Sequence, residues 1–114
     1  MTLVRGGQTF SPGDDQFAAR FQALVRSASI EATPRQILAT ERLPDLLPAG
    51  TCVYVPFLPK GDFSDTLEAC RYLLNMGMQP IPHVPVRMAR SSGQLRDWLS
   101  QMDAIRVDRL LLIA

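Results

Sequence analysis

The hydrophobic residues follow two periodicities along the chain, and the changes from one to the other divide the chain into helices and strands. Phe17, Phe21 and Leu24 recur at i, i+4 and i+7, the spacing of one helix face. The acidic pair at 14–15 suits the start of that helix, which is predicted to end near Val25. A helix therefore precedes the first strand.

Two more segments have helical periodicity. One begins at Asp62 or Ser64 and runs to about Met76, where Gly77 suits the position that stops a helix. The other begins at the serine pair 91–92 and has the longest apolar stripe of the chain. Its members are Leu95, Trp98, Leu99, Met102 and Ile105. Packing in a core accounts for the tryptophan, so no cofactor role is assigned to it.

Four apolar segments are predicted to be strands because they are short, β-branched or aromatic, and bounded by turn residues. They are Ser29–Ala32, Cys52–Phe57, Met78–Val86 and Arg109–Ala114. Pro34 is taken to stop the first, and residues 41–48 predict only a helix interrupted by prolines. The order helix, then β-α-β-α-β-α-β, predicts parallel strands joined by right-handed crossovers.

Two α/β architectures fit this order: an open doubly wound sheet and a (β/α)8 TIM barrel. A barrel needs about 250 residues, so four strands make roughly its first half. Because the sequence stops on an apolar strand, we expect a truncated chain. The expected division is an N-terminal extension with a helix over 1–26 and a partial barrel domain over 27–114.

Composition narrows the function classes. The net charge of +1 excludes a polybasic nucleic-acid arm and an acidic tail. The chain has no apolar run long enough to span a membrane and no continuous apolar signal segment near its start, which favours a cytoplasmic protein. Cys52 and Cys70 are read as free thiols, because a zinc site would need closer pairs and more ligands.

Candidate chemistry lies at the carboxyl ends of the predicted strands, where parallel α/β folds bind ligands. Glu31 ends the first strand, and a partly desolvated carboxyl there could donate a proton near neutral pH. It could equally be a solvated glutamate. His83, the only histidine, lies on the third strand, either as a functional group or as a hydrogen-bonded core residue. No metal site is predicted, and no GxGxxG, Walker A or GxSxG motif occurs.

The third strand also carries prolines at 80, 82 and 85, none of which can donate a backbone hydrogen bond. The missing donors of Pro82 and Pro85, three residues apart, point to opposite neighbouring strands. We therefore expect an irregular, bulged strand near His83.

Four segments together resemble the methylenetetrahydrofolate reductase family. SIEATP at 29–34 is similar to the family's S-F-E-x-x-P on the first strand, and PHV at 82–84 to its (A/P)-H-(L/V) on the third. NMGMQP at 75–80 looks like the approach to that third strand, and IRVDRLLLIA at 105–114 like the fourth strand. The order and spacing agree, and the resemblance covers residues 27–114.

The resemblance implies a (β/α)8 barrel that holds FAD at the carboxyl ends of its strands. Such enzymes pass a hydride from NAD(P)H to the flavin, which reduces 5,10-methylenetetrahydrofolate to 5-methyltetrahydrofolate in one-carbon and methionine metabolism. The family's general acid falls on Glu31, and the histidine that contacts FAD falls on His83. The family's glycine–aspartate pair after the fourth strand would begin at position 115. A homo-oligomer is possible; nucleic-acid and membrane partners are not expected.

The second strand departs from the family pattern. Where family members have a threonine that contacts the flavin, this chain has Pro56, so the flavin pocket is expected to form around Pro56 and Phe57. Two alternatives stay open. One is a non-reductive folate- or corrinoid-linked C1 protein on the same barrel, and the other is a small structural α/β module that binds a partner.

Overall fold

Four parallel strands, arranged in the order in which the chain forms them, make up the centre of the fold. The computed structural model describes residues 12–114. The strands are β1 (Ile30–Glu31), β2 (Cys52–Val55), β3 (Gln79–Pro85) and β4 (Leu111–Ile113). Their order in the sheet is β1-β2-β3-β4, and every neighbouring pair is parallel. The prediction of parallel βαβ units is confirmed.

Five helices precede or connect these strands in the described part of the chain. They are α1 (Pro12–Arg26), α2 (Pro34–Ala39), α3 (Leu43–Leu46), α4 (Phe63–Asn75) and α5 (Ser92–Ala104). A single 3-10 turn, Val86–Met88, follows β3. The three helices predicted from apolar periodicity, α1, α4 and α5, are all present with ends close to those expected.

The ends of α4 and α5 show why those predictions succeeded. The N–H of Asp62 donates to Asp65 Oδ2 at 3.2 Å at the start of α4, and the Ser91 hydroxyl accepts from the N–H of Gln94 at 3.1 Å at the start of α5. Gly77 follows α4 with a φ of +80°, a conformation that costs glycine little. Local hydrogen bonds therefore fix both helix starts.

The helix α2 was missed from the sequence, where Pro34 was read only as a strand stop. The structure instead places Pro34 in the first turn of a helix, a position in which its missing N–H costs nothing. The Thr33 hydroxyl accepts from the Gln36 N–H at 3.2 Å, and the Gln36 side chain accepts from the Thr33 N–H at 2.9 Å. This reciprocal capping box was the signal in the sequence.

The helices α2 to α5 pack on one face of the sheet. Around β2, the core consists of Val53 and Val55 with Ile37, Leu43, Ala69, Cys70, Leu73 and Met78. Around β3, it consists of Val84 with Phe63, Leu67, Trp98 and Met102. The Phe63 ring stacks on Trp98 with 5.2 Å between centroids and 6° between planes. The valines of β2 and β3 in these clusters point to the same face of the sheet, because side chains alternate along a strand.

β3 is a continuous strand, and the expected bulge is not found in it. Over residues 79–82 it pairs with β2, and over residues 83–85 it pairs with β4. The N–H of Gln79 donates toward β2, to the carbonyl of Thr51 at 2.9 Å. In a parallel strand the backbone groups of alternate residues point to alternate neighbours.

This alternation explains how a strand in the middle of a sheet accommodates prolines. The N atoms of Pro80 and Pro82 point toward the β4 side, where pairing starts only at His83. Pro85 has the opposite direction, toward β2, which has already ended at Val55. Each proline therefore occupies a position where the ladder requires no donor, and the strand stays regular.

Two apolar surfaces remain uncovered among residues 12–114. In β4, Leu111, Leu112 and Ile113 are all exposed, so neither face of this edge strand is covered. In α1, Phe17 and Phe21 stack on each other with 6.2 Å between centroids and stay exposed. The described part of the chain is elongated, with principal extents of 61 × 29 × 24 Å. None of its helices is long and apolar enough to cross a membrane.

The burial of the two cysteines predicts different reactivities. Cys70 has no exposed surface, and burial raises the pKa of its thiol to about 12, since the charged thiolate is poorly solvated there. Cys52 is only half-buried. At about pH 8, a chromogenic disulfide reagent should modify Cys52, which is accessible, in the folded chain and Cys70 only after addition of urea.

A Cys52→Ala variant is the control for this measurement and should show no rapid thiol in the folded state. Rapid modification of two thiols in the folded chain would contradict the placement of Cys70 in the core.

Candidate functional site

The sheet face opposite the helices brings together the chemistry-bearing residues of the strands. Because side chains alternate along a strand, Tyr54 lies on the face opposite Val53. The cross-strand register aligns Glu31 with Tyr54 and Tyr54 with Ile81, and His83 is two residues further along β3. Glu31, Tyr54 and His83 therefore share this face, which we call the open face because no helix core of the described residues is built on it.

Glu31 is the last residue of β1, and its side chain is exposed. The desolvated setting expected from the sequence is not found, for a physical reason: β1 is an edge strand and nothing among residues 12–114 covers its open face. The carboxyl group is nevertheless at the carboxyl end of its strand, on the face expected for a ligand-binding group.

His83 is half-buried and contacts Tyr54. The two ring centroids are 5.9 Å apart with 60° between the planes, an edge-to-face contact. On its other side, His83 is aligned with Leu111 of β4. Among the described residues the imidazole makes no hydrogen bond to another protein group.

The structure separates the two other predicted cofactor-binding residues. Pro56 directly follows β2, is half-buried, and continues the alternation of the open face. Phe57 packs on the helix side, with its ring centroid 5.4 Å from that of Trp98. The structure thus brings Glu31 and His83 to one face with Pro56 at the adjacent strand end, and it does not bring Phe57 there.

Exposed charged side chains follow the carboxyl ends of β2 and β3. Lys60 lies in the loop after β2, and Arg87 and Arg90 follow β3, all of them exposed. The described part of the chain contains a single ion pair, between Arg42 and Asp45. None of the three cations named above therefore has a carboxylate partner there. The loop after β2 and the first turn of α4 also carry the exposed carboxylates of Asp62 and Asp65, so it is the segment after β3 that suits an anionic ligand group such as a phosphate or a carboxylate.

Two cavities of the described part of the chain lie away from the open face. A cavity of about 360 Å³ lies between α2 and the start of α4, and one of about 340 Å³ lies beside β1 beneath α2 and α3. Neither is lined by Glu31, Tyr54 or His83. Over the described range, no group of three or more His, Cys, Asp or Glu side chains is placed to hold a metal ion.

Tyr54 is the member of this site that was not singled out from the sequence. The signal was its position two residues before Pro56 on the same strand, which puts both on one face. The open face therefore carries a carboxyl group, a phenol ring and an imidazole, with cations beyond it. Comparison of the chain with models of known protein families finds no match.

Proposed function

We propose that the protein is a flavin-dependent reductase that converts 5,10-methylenetetrahydrofolate to 5-methyltetrahydrofolate with NAD(P)H as electron donor. The observation that carries the proposal is the presence of Glu31 and His83 on one sheet face, at the carboxyl-end half of parallel strands. Those are the two residues on which the resemblance to the methylenetetrahydrofolate reductase family places the general acid and the flavin contact.

The sheet topology supports a barrel over a doubly wound sheet. A doubly wound sheet reverses its strand order at one point and carries helices on both faces. Here the order is β1-β2-β3-β4 without reversal, and α2 to α5 all pack on one face. In a (β/α)8 barrel the open face would be the interior, and these four strands would be half of it. The exposed apolar residues of β4 suit pairing with further strands.

Two features of the open face support the proposal of a flavin site. Tyr54 and His83 form an aromatic surface, and Arg87 and Arg90 supply positive charge suited to the phosphates of FAD or NAD(P)H. When bound, FAD would supply the hydride transfer between nicotinamide and folate. In the proposed site Glu31 holds a proton and donates it to the folate nitrogen as the imidazolidine ring opens.

The complete polypeptide encoded by the gene provides the direct test. We expect it to purify with a flavin absorbance spectrum, to be bleached by NAD(P)H, and to be reoxidised by methylenetetrahydrofolate. A folded, colourless product that takes up no added FAD would rule out this function.

Glu31→Gln should separate the two half-reactions. Because the amide cannot donate the proton, reduction of the folate should fall by at least about 10²-fold, whereas reduction of the flavin by NAD(P)H should be unchanged. Stopped-flow absorbance at the flavin band measures both steps. Glu41→Gln, at an exposed glutamate after α2, is the matched control and should leave both rates as in the wild type. Equal loss of both half-reactions in Glu31→Gln would contradict the proton-donor role.

His83→Ala should weaken retention of FAD. Loss of one hydrogen bond to the cofactor costs about 1–2 kcal/mol, or roughly 5- to 30-fold in Kd. Quenching of flavin fluorescence during titration gives the affinity. Gln79→Ala, on the same face at the opposite end of β3, is the matched control. If His83→Ala binds FAD as tightly as the wild type, the imidazole does not contact the cofactor.

Two observations favour a second candidate, a folate- or corrinoid-linked C1 protein without flavin chemistry. Pro56 offers no hydroxyl group at the end of β2, and Phe57 packs in the core instead of facing the site. Binding of reduced folate by a protein that takes up no FAD and does not oxidise NAD(P)H would support this candidate over the reductase.

A further inference from the structure

We propose that Tyr54 is a positioning residue of the candidate site, and that its ring fixes the orientation of the His83 imidazole toward the bound flavin. The proposal rests on the proposed function for the identity of the ligand. The contact between the two rings is independent of that function and can be measured without any ligand.

Tyr54 lies between the two residues to which the proposed chemistry is assigned. It is aligned with Glu31 on β1, and neighbouring strands are about 4.8 Å apart. On the other side, its ring meets the His83 ring at 5.9 Å between centroids. Glu31, Tyr54 and His83 thus form a continuous row across three strands on the open face.

The backbones of Tyr54 and His83 are both held by the sheet. β2 pairs on both sides, with β1 and β3, and the valines that flank Tyr54, Val53 and Val55, are 1% and 0% exposed in the core. His83 pairs with β4, and the residues on either side of it, Pro82 and Val84, are equally buried. Both rings therefore stand on fixed backbones, and the freedom that their contact can limit is the rotation of the imidazole.

The ring, and not the hydroxyl group, makes the described contact. The imidazole has no hydrogen bond to protein within residues 12–114, so packing against Tyr54 is what the described structure offers to limit its rotation. The Tyr54 hydroxyl likewise has no hydrogen-bond partner within that range, in contrast to Tyr72, whose hydroxyl donates to the Thr40 carbonyl at 2.7 Å. Phenylalanine should therefore replace Tyr54 without loss.

A pre-oriented imidazole loses less rotational freedom when it binds a ligand, which improves affinity. An aromatic pair contributes about 0.5–1.5 kcal/mol, so loss of the ring should weaken flavin binding by about two- to tenfold. The effect should be smaller than that of removing the imidazole itself.

The imidazole proton resonances of His83 test the contact directly. They are assigned by their disappearance in His83→Ala. In Tyr54→Leu the Cε1–H resonance should move to the position of free histidine, and its nuclear Overhauser contact with the ring at position 54 should vanish. In Tyr54→Phe both should persist. Cys52→Val, two residues earlier on the same strand and the same face, is the matched control and should leave the resonance in place.

FAD titration of the same variants completes the experiment. We expect Tyr54→Phe and Cys52→Val to bind as the wild type does, and Tyr54→Leu to bind about two- to tenfold more weakly. Circular dichroism checks that each variant is folded. If Tyr54→Leu unfolds, Tyr54→Met, which fills similar space without a ring, takes its place.

An unchanged His83 resonance in Tyr54→Leu would overturn the proposal, and so would an equal loss of affinity in Tyr54→Phe and Tyr54→Leu, since that would make the hydroxyl the functional group. Failure of the wild type to bind FAD would overturn the reductase function instead. The His83 resonance would then decide by itself whether Tyr54 positions the imidazole.

Discussion

The arrangement of this fold depends on the right-handed crossover between adjacent parallel strands. Each crossover here advances by one strand in the same direction, so each connecting helix arrives on the same side of the sheet. The valines of β2 and β3 face those helices, and the alternate residues are left to the other face. One topological constraint therefore decides both where the core forms and where Glu31, Tyr54 and His83 lie.

The change of pairing partner along β3 explains how this strand accommodates three prolines. β3 changes its pairing partner from β2 to β4 between Pro82 and His83, so the ladder requires no donor at Pro80, Pro82 or Pro85. A strand with that composition would be unstable if it paired along its whole length on both sides. His83 is the first residue of β3 that pairs with β4.

Periodicity in the sequence was sufficient for α1, α4, α5 and the alternation of strands and helices along the chain, because those features depend on local spacing. It failed at Pro34, because a proline can either stop a strand or begin a helix. The Thr33–Gln36 capping box distinguishes the two cases here. It also failed at Phe57, although alternation from Val53 and Val55 already directs that ring to the helix side. The exposure of Glu31 depends on what covers an edge strand, which local spacing does not specify.

The exposed carboxyl of Glu31 and the exposed apolar residues of β4 have one physical cause. Both lie on edge strands, and Leu111 and Ile113 lie on the open face with Glu31. A carboxyl group that donates a proton near neutral pH needs a partly desolvated setting, and apolar strand residues need cover. In the proposed barrel, closure gives β1 and β4 new neighbours and turns the open face into the interior. Under this proposal, the closure that buries the leucines and isoleucine of β4 would also remove water from Glu31, as a proton donor requires.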